Sequence, residues 1–501
     1  MTTDAEAPVL LEGHIQTGDK GLKANALGFM SNLVIGVAST APAYSLAATL
    51  GFIVVIHGVG VKAPAVLIVS FVPILLVAFA YRYLNKADPD AGTTFAWTTR
   101  AFGPWIGWMN GWAIFIADVI VMASLSVIAS QYTYLLFNWD HGANSAFWII
   151  VGSVVWIAIM TWICYRGIEL SAETQVFLLS AEIAILTAFT IVAFIKVYNG
   201  NALPGALHVS WSWFNPFDLS FNSLILGVLL GIFIYWGWDS GVSVNEESRD
   251  SAEGPGKAAI LSTILLVLIY VSVSTAAIAY AGTKFLGANQ NDVLNPLGKS
   301  VFGSPWDKLL IIAVLTSASA STQTTILPTA RTTLSMAKWG AIPKVFGDIH
   351  PRYLTPTVST LGMGALSAVW TGLLVGFNSN QNVLNDSITA LGFAVCFYYG
   401  FTGLACGWYF RRELFKSVRG FVLAGLLPVL GGAMMAFIFV KAWIVESDPT
   451  YNYSHALFGI QVPIVIGIGS LLLGIPFMLL SAAKLRPFFR RKTEVAPPGL
   501  I

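Results

Sequence analysis

Long apolar runs alternate with short polar connections twelve times along this chain. A helix that crosses a bilayer needs about 20 mostly apolar residues. Runs of that length lie near residues 30–57, 63–84, 105–137, 146–165, 171–197, 221–245, 258–283, 306–336, 357–377, 383–409, 420–444 and 457–483. Several exceed one crossing, which predicts tilt, a break, or helix continuing past the bilayer. The pattern predicts an all-α polytopic membrane protein with twelve transmembrane helices. A polar tail over 1–29 precedes a single transmembrane domain over 30–484, and a basic tail follows over 485–501.

Composition agrees with that pattern. The chain has 501 residues, 56% hydrophobic and only 10% charged, whereas a soluble domain carries roughly 25% charged residues. The net charge of +2 is too small to argue for a nucleic-acid partner. Cys164, Cys396 and Cys406 sit in apolar runs, match no zinc or disulfide spacing, and read as small buried hydrophobes. His14, His57, His141, His208, His350 and His455 are scattered. No metal site, cofactor motif or nucleophile–base pair is visible, which argues against an enzyme. There is no Gly-rich phosphate loop ending in Lys-Ser/Thr, so no nucleotide-driven motor is encoded. The polar start of the chain lacks the basic segment, short apolar core and cleavage site of a signal peptide.

Charge position sets orientation. Most of the 27 Lys and Arg residues fall in alternate connections and in the two tails, among them Lys20, Lys23, Arg82, Arg100, Arg331, Lys344, Arg411, Arg412, Lys484 and Arg490 to Lys492. Such asymmetry predicts both termini on the cytoplasmic side of the cell membrane, and an odd number of crossings would break it. The basic C-terminal tail reads as an anchor on anionic lipid.

Two of the runs are interrupted midway. The first reads Val34-Ile35-Gly36-Val37-Ala38-Ser39-Thr40-Ala41-Pro42, and the sixth reads Phe233-Ile234-Tyr235-Trp236-Gly237-Trp238-Asp239-Ser240-Gly241. Backbone that leaves the helix inside a bilayer has to be buried or line a cavity, because lipid cannot satisfy its N–H and C=O groups. The breaks lie five helices apart, the spacing of a five-helix unit followed by an inverted copy, and paired broken helices point to a transporter's binding site. Helix-end N–H groups suit a carboxylate and helix-end C=O groups suit an ammonium. Together they fit an amino acid backbone.

Three acids lie within the runs: Asp118, Glu182 and Asp239. A charge at mid-bilayer costs at least about 2.5–3.5 kcal/mol, so such residues usually face the bundle interior and mark a pathway. Each is a candidate proton-coupling group. No lysine sits deep in a run to pair with them. Phe233, Tyr235, Trp236 and Trp238 flank the sixth-run break and are candidates for a gate or a cation–π contact.

Four stretches together resemble the amino acid–polyamine–organocation superfamily. They are Gly36 to Pro42; Pro89 to Phe95 with Phe102-Gly103-Pro104 and Gly107 to Trp112; Tyr235 to Glu247 with Arg249-Asp250; and Ala330-Arg331 with Gly340 to Pro343 and Leu354-Thr355-Pro356. The resemblance implies a leucine-transporter-like fold: repeat one over about 30–197, an inverted repeat two over about 221–409, and extra helices over about 420–483. It implies that Gly36, Val37, Ala38 and Ser39 bind the substrate carboxylate. The backbone from Phe233 through Tyr235 to Trp236 and Gly237 would take the amino group, with Phe233 as gate. Asp239 falls where family exchangers carry a glutamate tied to proton-dependent release. Glu182, seven residues after Gln175, falls where some members place a lysine in lieu of sodium, and an acid there argues against that substitute-cation mechanism. Thr325 stands where an arginine-stacking tryptophan would be, which argues against arginine as substrate.

The expected function is a proton-coupled secondary amino acid transporter in the plasma membrane, with protons and membrane lipid as partners and no obligate protein partner. A polyamine or cationic-amine permease, or an exchanger, is the alternative, motivated by Asp118 and Asp239. A channel or sensor is a further class, but nothing resembles a filter or a ring of charges.

Overall fold

The computed structural model describes residues 20–377, 382–448, 456 and 459–501. The expected N-terminal tail before residue 20, with His14, and also His455, lie outside the described residues. Twelve helical stretches are long and apolar enough to cross a membrane: Phe29–Val55, Gly60–Ala87, Pro104–Leu136, Ala146–Arg166, Ile168–Tyr198, Phe221–Ser243, Gly254–Ala288, Trp306–Lys338, Thr357–Gly376, Ser387–Tyr409, Val418–Glu446 and Val462–Lys484. They are called spans 1 to 12 below. Each matches one predicted run, so the chain is a multi-pass membrane protein.

Spans 1, 3, 8 and 10 are the most enclosed, and spans 4, 5 and 12 the most exposed to the surroundings. Span 3 packs along span 8, and span 10 along span 11. Span 8 is central although its middle is polar. From Ser317 to Thr325 it carries a run of Ser, Thr and Gln side chains, all buried. Several of those hydroxyls return to the carbonyl one turn back, as Thr322 Oγ1 does to Ala318 O at 2.7 Å. This keeps them paired inside an apolar medium.

Spans 1 and 6 are broken, as their sequences predict. Span 1 is helical over Phe29–Ser39 and again over Pro42–Val55. Pro42 has no N–H to give, and its ring would clash with the Ala38 carbonyl in a continuous helix. It starts the outer half-helix instead, and Ala41 before it takes the left-handed conformation with φ 47°. Gly36, Val37, Ala38 and Ser39 therefore belong to the first half-helix. The break is centred on Thr40 and Ala41, a few residues later than the resemblance implied, because the proline and not the glycine ends the helix.

Span 6 is helical over Phe221–Tyr235 and resumes as a single turn over Ser240–Ser243. Gly237 turns the chain with φ 117°, and a Cβ there would sit 2.8 Å from Ser39 O. A Cβ on Gly241 would sit 2.5 Å from Asn32 O. The inner halves of spans 1 and 6 thus touch through backbone, which only glycine permits.

The C-terminal tail makes contacts that its charges did not foretell. It folds back onto the protein, with Phe488 buried and its ring 5.8 Å from Phe95. Arg100 Nη1 holds Glu494 Oε2 at 2.6 Å, and Ala496 N donates to Tyr409 O at 3.0 Å. The tail's apolar rings and backbone find protein partners, while Arg486, Arg490 and Lys492 stay exposed.

Gly237→Ala tests the break directly. Within a helix that change adds stability. At a left-handed position under the Ser39 carbonyl it should cost about 1–3 kcal/mol and lower the thermal midpoint of the purified protein. A raised midpoint would mean span 6 runs unbroken through residue 237.

Candidate functional site

The two breaks face each other halfway along the bundle. Ser39 and Ser240 share a hydrogen bond between hydroxyls at 2.8 Å, and Ser321 of span 8 donates to Ser39 O at 2.7 Å. The free ends of the half-helices are completed largely by the protein. Val37 O accepts Thr40 N at 3.2 Å and the Thr40 hydroxyl at 2.8 Å, and Ala38 O accepts Ala41 N at 3.1 Å. Ser45 donates to Thr40 O at 2.7 Å. At the start of the outer half-helix, Tyr44 N reaches Ser317 Oγ at 3.2 Å.

Glu182 holds the remaining position there. Its Oε1 accepts Ala43 N at 2.7 Å, so a carboxylate of the protein itself sits on the positive end of Pro42–Val55. The residue is fully buried, and Oε2 has no hydrogen-bond partner. Glu182 faces the start of that half-helix from span 5, with Ser317 beside it.

Asp239 opens the short helical turn after the span 6 break and is enclosed by three phenols. Tyr399 OH donates to Oδ1 at 2.8 Å, while Tyr81 OH and Tyr398 OH donate to Oδ2 at 3.2 and 3.3 Å. Tyr398 OH in turn receives Trp236 Nε1. A hydrogen-bonded chain therefore runs from the Asp239 carboxyl through Tyr398 to the indole beside the break. Asp118 of span 3 is bonded by Thr329 Oγ1 of span 8 and lies within electrostatic reach of Asp239. Phe233 meets Tyr44 edge-on at 6.5 Å, and Tyr44 OH bonds Ser124 Oγ at 3.0 Å.

The structure thus gathers Ser39, Phe233, Trp236, Gly237, Asp239 and Asp118 around the breaks. Gly36 serves close packing against Trp238 O and Ser262. Val37 and Ala38 offer the carbonyls already described. Tyr235 points elsewhere: its ring packs on Tyr270 at 5.0 Å and on Phe71 at 6.0 Å. Thr325 is buried and spends its hydroxyl on Ser321 O at 2.7 Å. Tyr81, Tyr398 and Tyr399 were not singled out from sequence. The signal was available: a buried carboxylate needs donors, and these phenols lie deep within apolar runs.

The sequence profile of the family described as amino acid permease matches residues 25–483. The chain belongs to the amino acid permease family. That family lies within the amino acid–polyamine–organocation superfamily, and its members are transporters, not enzymes. The permease is 24% identical over 356 residues to the branched-chain amino acid permease BcaP of Bacillus subtilis (strain 168), covering 66% of this chain and 73% of that one. It is 24% identical over 326 residues to the methylthioribose transporter of the same organism, covering 62% and 67%. It is 22% identical over 429 residues to the Asc-type amino acid transporter 1 of Mus musculus, covering 84% and 73%.

Both ends of the permease's central region are bridged. At the end that carries the C-terminal tail, Leu27 N donates to Glu247 O at 3.0 Å and Arg249 N to Leu27 O at 2.9 Å, which ties span 1 to the segment after span 6. Arg331 of span 8 grips Glu247 with two hydrogen bonds of 2.9 Å, both side chains buried. Lys20 pairs with Asp90 at 2.8 Å and also bonds Glu246. At the opposite end, Tyr132 OH bonds Asp292, and Val293 N donates to Ala47 O at 3.3 Å.

The Lys20–Asp90 pair is buried, so its energetics depend on protonation. Burial alone would raise the Asp90 carboxyl, but the Lys20 ammonium, the Ser335 hydroxyl and the Gly92 N–H outweigh it and hold it below its ordinary 3.8. Burial works against the Lys20 charge, yet Asp90 and Glu246 hold its pKa above 10.5. A depressed acid contributes stability above its unfolded pKa and loses it as pH falls through the folded value. A raised base contributes below its unfolded pKa and loses it as pH rises through the folded value. Both contributions are complete between about pH 4 and 10. Lys20→Met leaves a buried carboxylate without its cation and should cost about 3–5 kcal/mol at pH 7. The difference in thermal midpoint from the unaltered protein should shrink below about pH 4. An equal loss at pH 7 and pH 3 would show that Lys20 acts by packing alone.

Proposed function

We propose that the permease carries a small amine-bearing solute, an amino acid, across the plasma membrane by alternating access coupled to protons. The observation that carries this reading is the pair of facing half-helix breaks, enclosed at mid-bundle beside a buried acid. The names of the relatives, with branched-chain and Asc-type amino acids among them, support an amino acid as cargo. The basic connections and tails support both termini on the cytoplasmic face. Residues 30–484 form the transporter domain, with a cytoplasmic tail on either side and with five-helix repeats over about 30–197 and 221–409.

In this reading the solute lies between the breaks. Its ammonium meets carbonyls around Phe233 to Gly237, and its carboxylate meets the region of Gly36 to Ser39 and the Thr40–Ala41 turn. Phe233, edge-on to Tyr44, is the gate. Asp239 takes the coupling proton. Three phenols donate to its ionised carboxylate, and a proton on that oxygen displaces at least one of them. Tyr398 also holds Trp236, so the change is passed to the indole beside the solute. Glu182 accepts the Ala43 N–H at the start of the outer half-helix and is a further place for a proton. Proteoliposomes with an inward proton gradient should accumulate radiolabelled amino acid. Asp239→Asn should abolish gradient stimulation, a loss of roughly tenfold or more for a charge-assisted hydrogen-bond network worth about 1.5–3 kcal/mol, while solute exchange at equal pH persists. Stimulation that survives in Asp239→Asn would remove the proton-coupling role.

A second reading is favoured by one observation: Asp118 and Asp239 are neighbouring acids with no cation beside either among the described residues. Such a pair suits a polyamine or cationic amine. Asp118→Asn should then weaken cationic amines by roughly tenfold, a charged hydrogen bond being worth about 1.5–3 kcal/mol, and spare neutral amino acids. Equal loss of both classes would count against it.

A further inference from the structure

A second cavity lies away from the breaks, at the end of the bundle that carries the C-terminal tail. It has a volume of about 570 Å³ and sits between span 3, the end of span 8 with the loop after it, and span 12. Trp108, Trp112, Met336, Phe346 and Phe477 form its walls. Trp108 and Trp112 stack at 5.9 Å, and Trp112 stacks on Phe477 at 5.3 Å. Both indole N–H groups are already spent, on Ala341 O at 3.2 Å and Ser470 O at 2.9 Å. Apart from the hydroxyls of Thr333 and Ser481, the walls therefore offer an occupant hydrocarbon and ring faces.

The mouth is different in chemistry. Lys484, the last residue of span 12, lines it, and Lys344 follows the lining residue Pro343. Both ammonium groups are exposed, and neither forms an ion pair among the described residues. Phe477 and Leu480 on the same side of span 12 are 47% and 59% exposed, so the cavity opens laterally where a membrane surrounds the helices.

We propose that this cavity is a binding site for one anionic phospholipid, with an acyl chain against the aromatic walls and the headgroup phosphate between Lys484 and Lys344. An apolar slot between membrane helices, with unpaired lysines at its interfacial mouth, matches a lipid that has a chain at one end and a negative charge at the other. A zwitterionic lipid would fill the slot, but the cation of its own headgroup would repel the two ammonium groups and offset the attraction of its phosphate. The site rests on the chain's position in a membrane and not on what the permease carries.

The purified full chain in detergent can be titrated with phosphatidylglycerol and, separately, phosphatidylcholine, with bound lipid read by native mass spectrometry and the thermal midpoint read in parallel. Phosphatidylglycerol should bind tighter by roughly thirtyfold, the effect of two basic side chains at a membrane surface. The double variant Lys344→Glu/Lys484→Glu should erase that preference, and since both side chains are exposed the protein should still fold. Ser481→Trp, which fills the slot from span 12, should lower binding of both lipids. Equal affinity for the two lipids in the unaltered protein would overturn the charged-headgroup assignment. Phosphatidylglycerol binding that Ser481→Trp leaves intact would place the lipid outside this cavity.

Discussion

Everything in the centre of this protein follows from one requirement. Peptide groups released where a helix breaks inside a bilayer cannot turn to solvent, so other parts of the chain have to meet them. Pro42 forces the break in span 1, and the consequences reach across the fold. Ser321 and Ser317 come from span 8, Glu182 from span 5, and the turn's own Thr40 and Ser45 supply the rest. In span 6, Tyr270 of span 7 donates to Ile234 O at 2.7 Å. The bonds from Ser321, Ser317, Glu182 and Tyr270 each join two spans. The breaks therefore organise the polar interior, and Ser317 and Ser321 in the hydroxyl-rich middle of span 8 are the two that complete the break in span 1.

The same requirement governs the acids. Asp239 and Glu182 are both buried, yet they are satisfied in opposite ways. Asp239 is given three hydroxyl donors, each able to turn away. Glu182 is given a backbone N–H that cannot move without its half-helix. A change at Asp239 can be absorbed by side-chain rotation and passed along Tyr398 to Trp236. A change at Glu182 acts on the outer half of span 1 as a unit. The two acids are thus held differently, one by side chains and one by the backbone of a rigid element.

Much of the fold was legible in the sequence because the bilayer imposes simple rules. Twelve apolar runs became twelve spans, and Gly, Pro and small residues marked both breaks. The location of the first break was only partly legible. Gly36 drew attention, but a glycine can remain in a helix, whereas a proline cannot be passed without losing a bond. The partners were the least legible. Tyr81, Tyr398 and Tyr399 lie far from Asp239 in the chain, as Ser317 does from Tyr44. A sequence shows which groups will need completing, not which distant side chain does it. The tail after Leu485 shows the same limit: its charges suggested lipid, and its rings found Phe95.

The closures at the two ends are built from unequal materials, which bears on how either could open. At the C-terminal-tail end they include two buried ion pairs, Lys20–Asp90 and Arg331–Glu247. Such pairs gain Coulomb energy but have already lost hydration, so their net contribution is small. If the end opens and water enters, each separated charge recovers its hydration, and the cost of parting is largely offset. The same groups are costly to lose one at a time, because a lone buried charge has neither partner nor water. An ion-paired closure is therefore stiff against substitution and yet close to balance against opening. At the opposite end the closure rests on Tyr132 with Asp292 and on a backbone bond from Val293 to Ala47, with one formal charge and no buried pair among these contacts. Under the proposed alternation between two open forms the closures need nearly matching free energies, and hydrated separation of paired charges is a physical route to that match at the end where these pairs are buried.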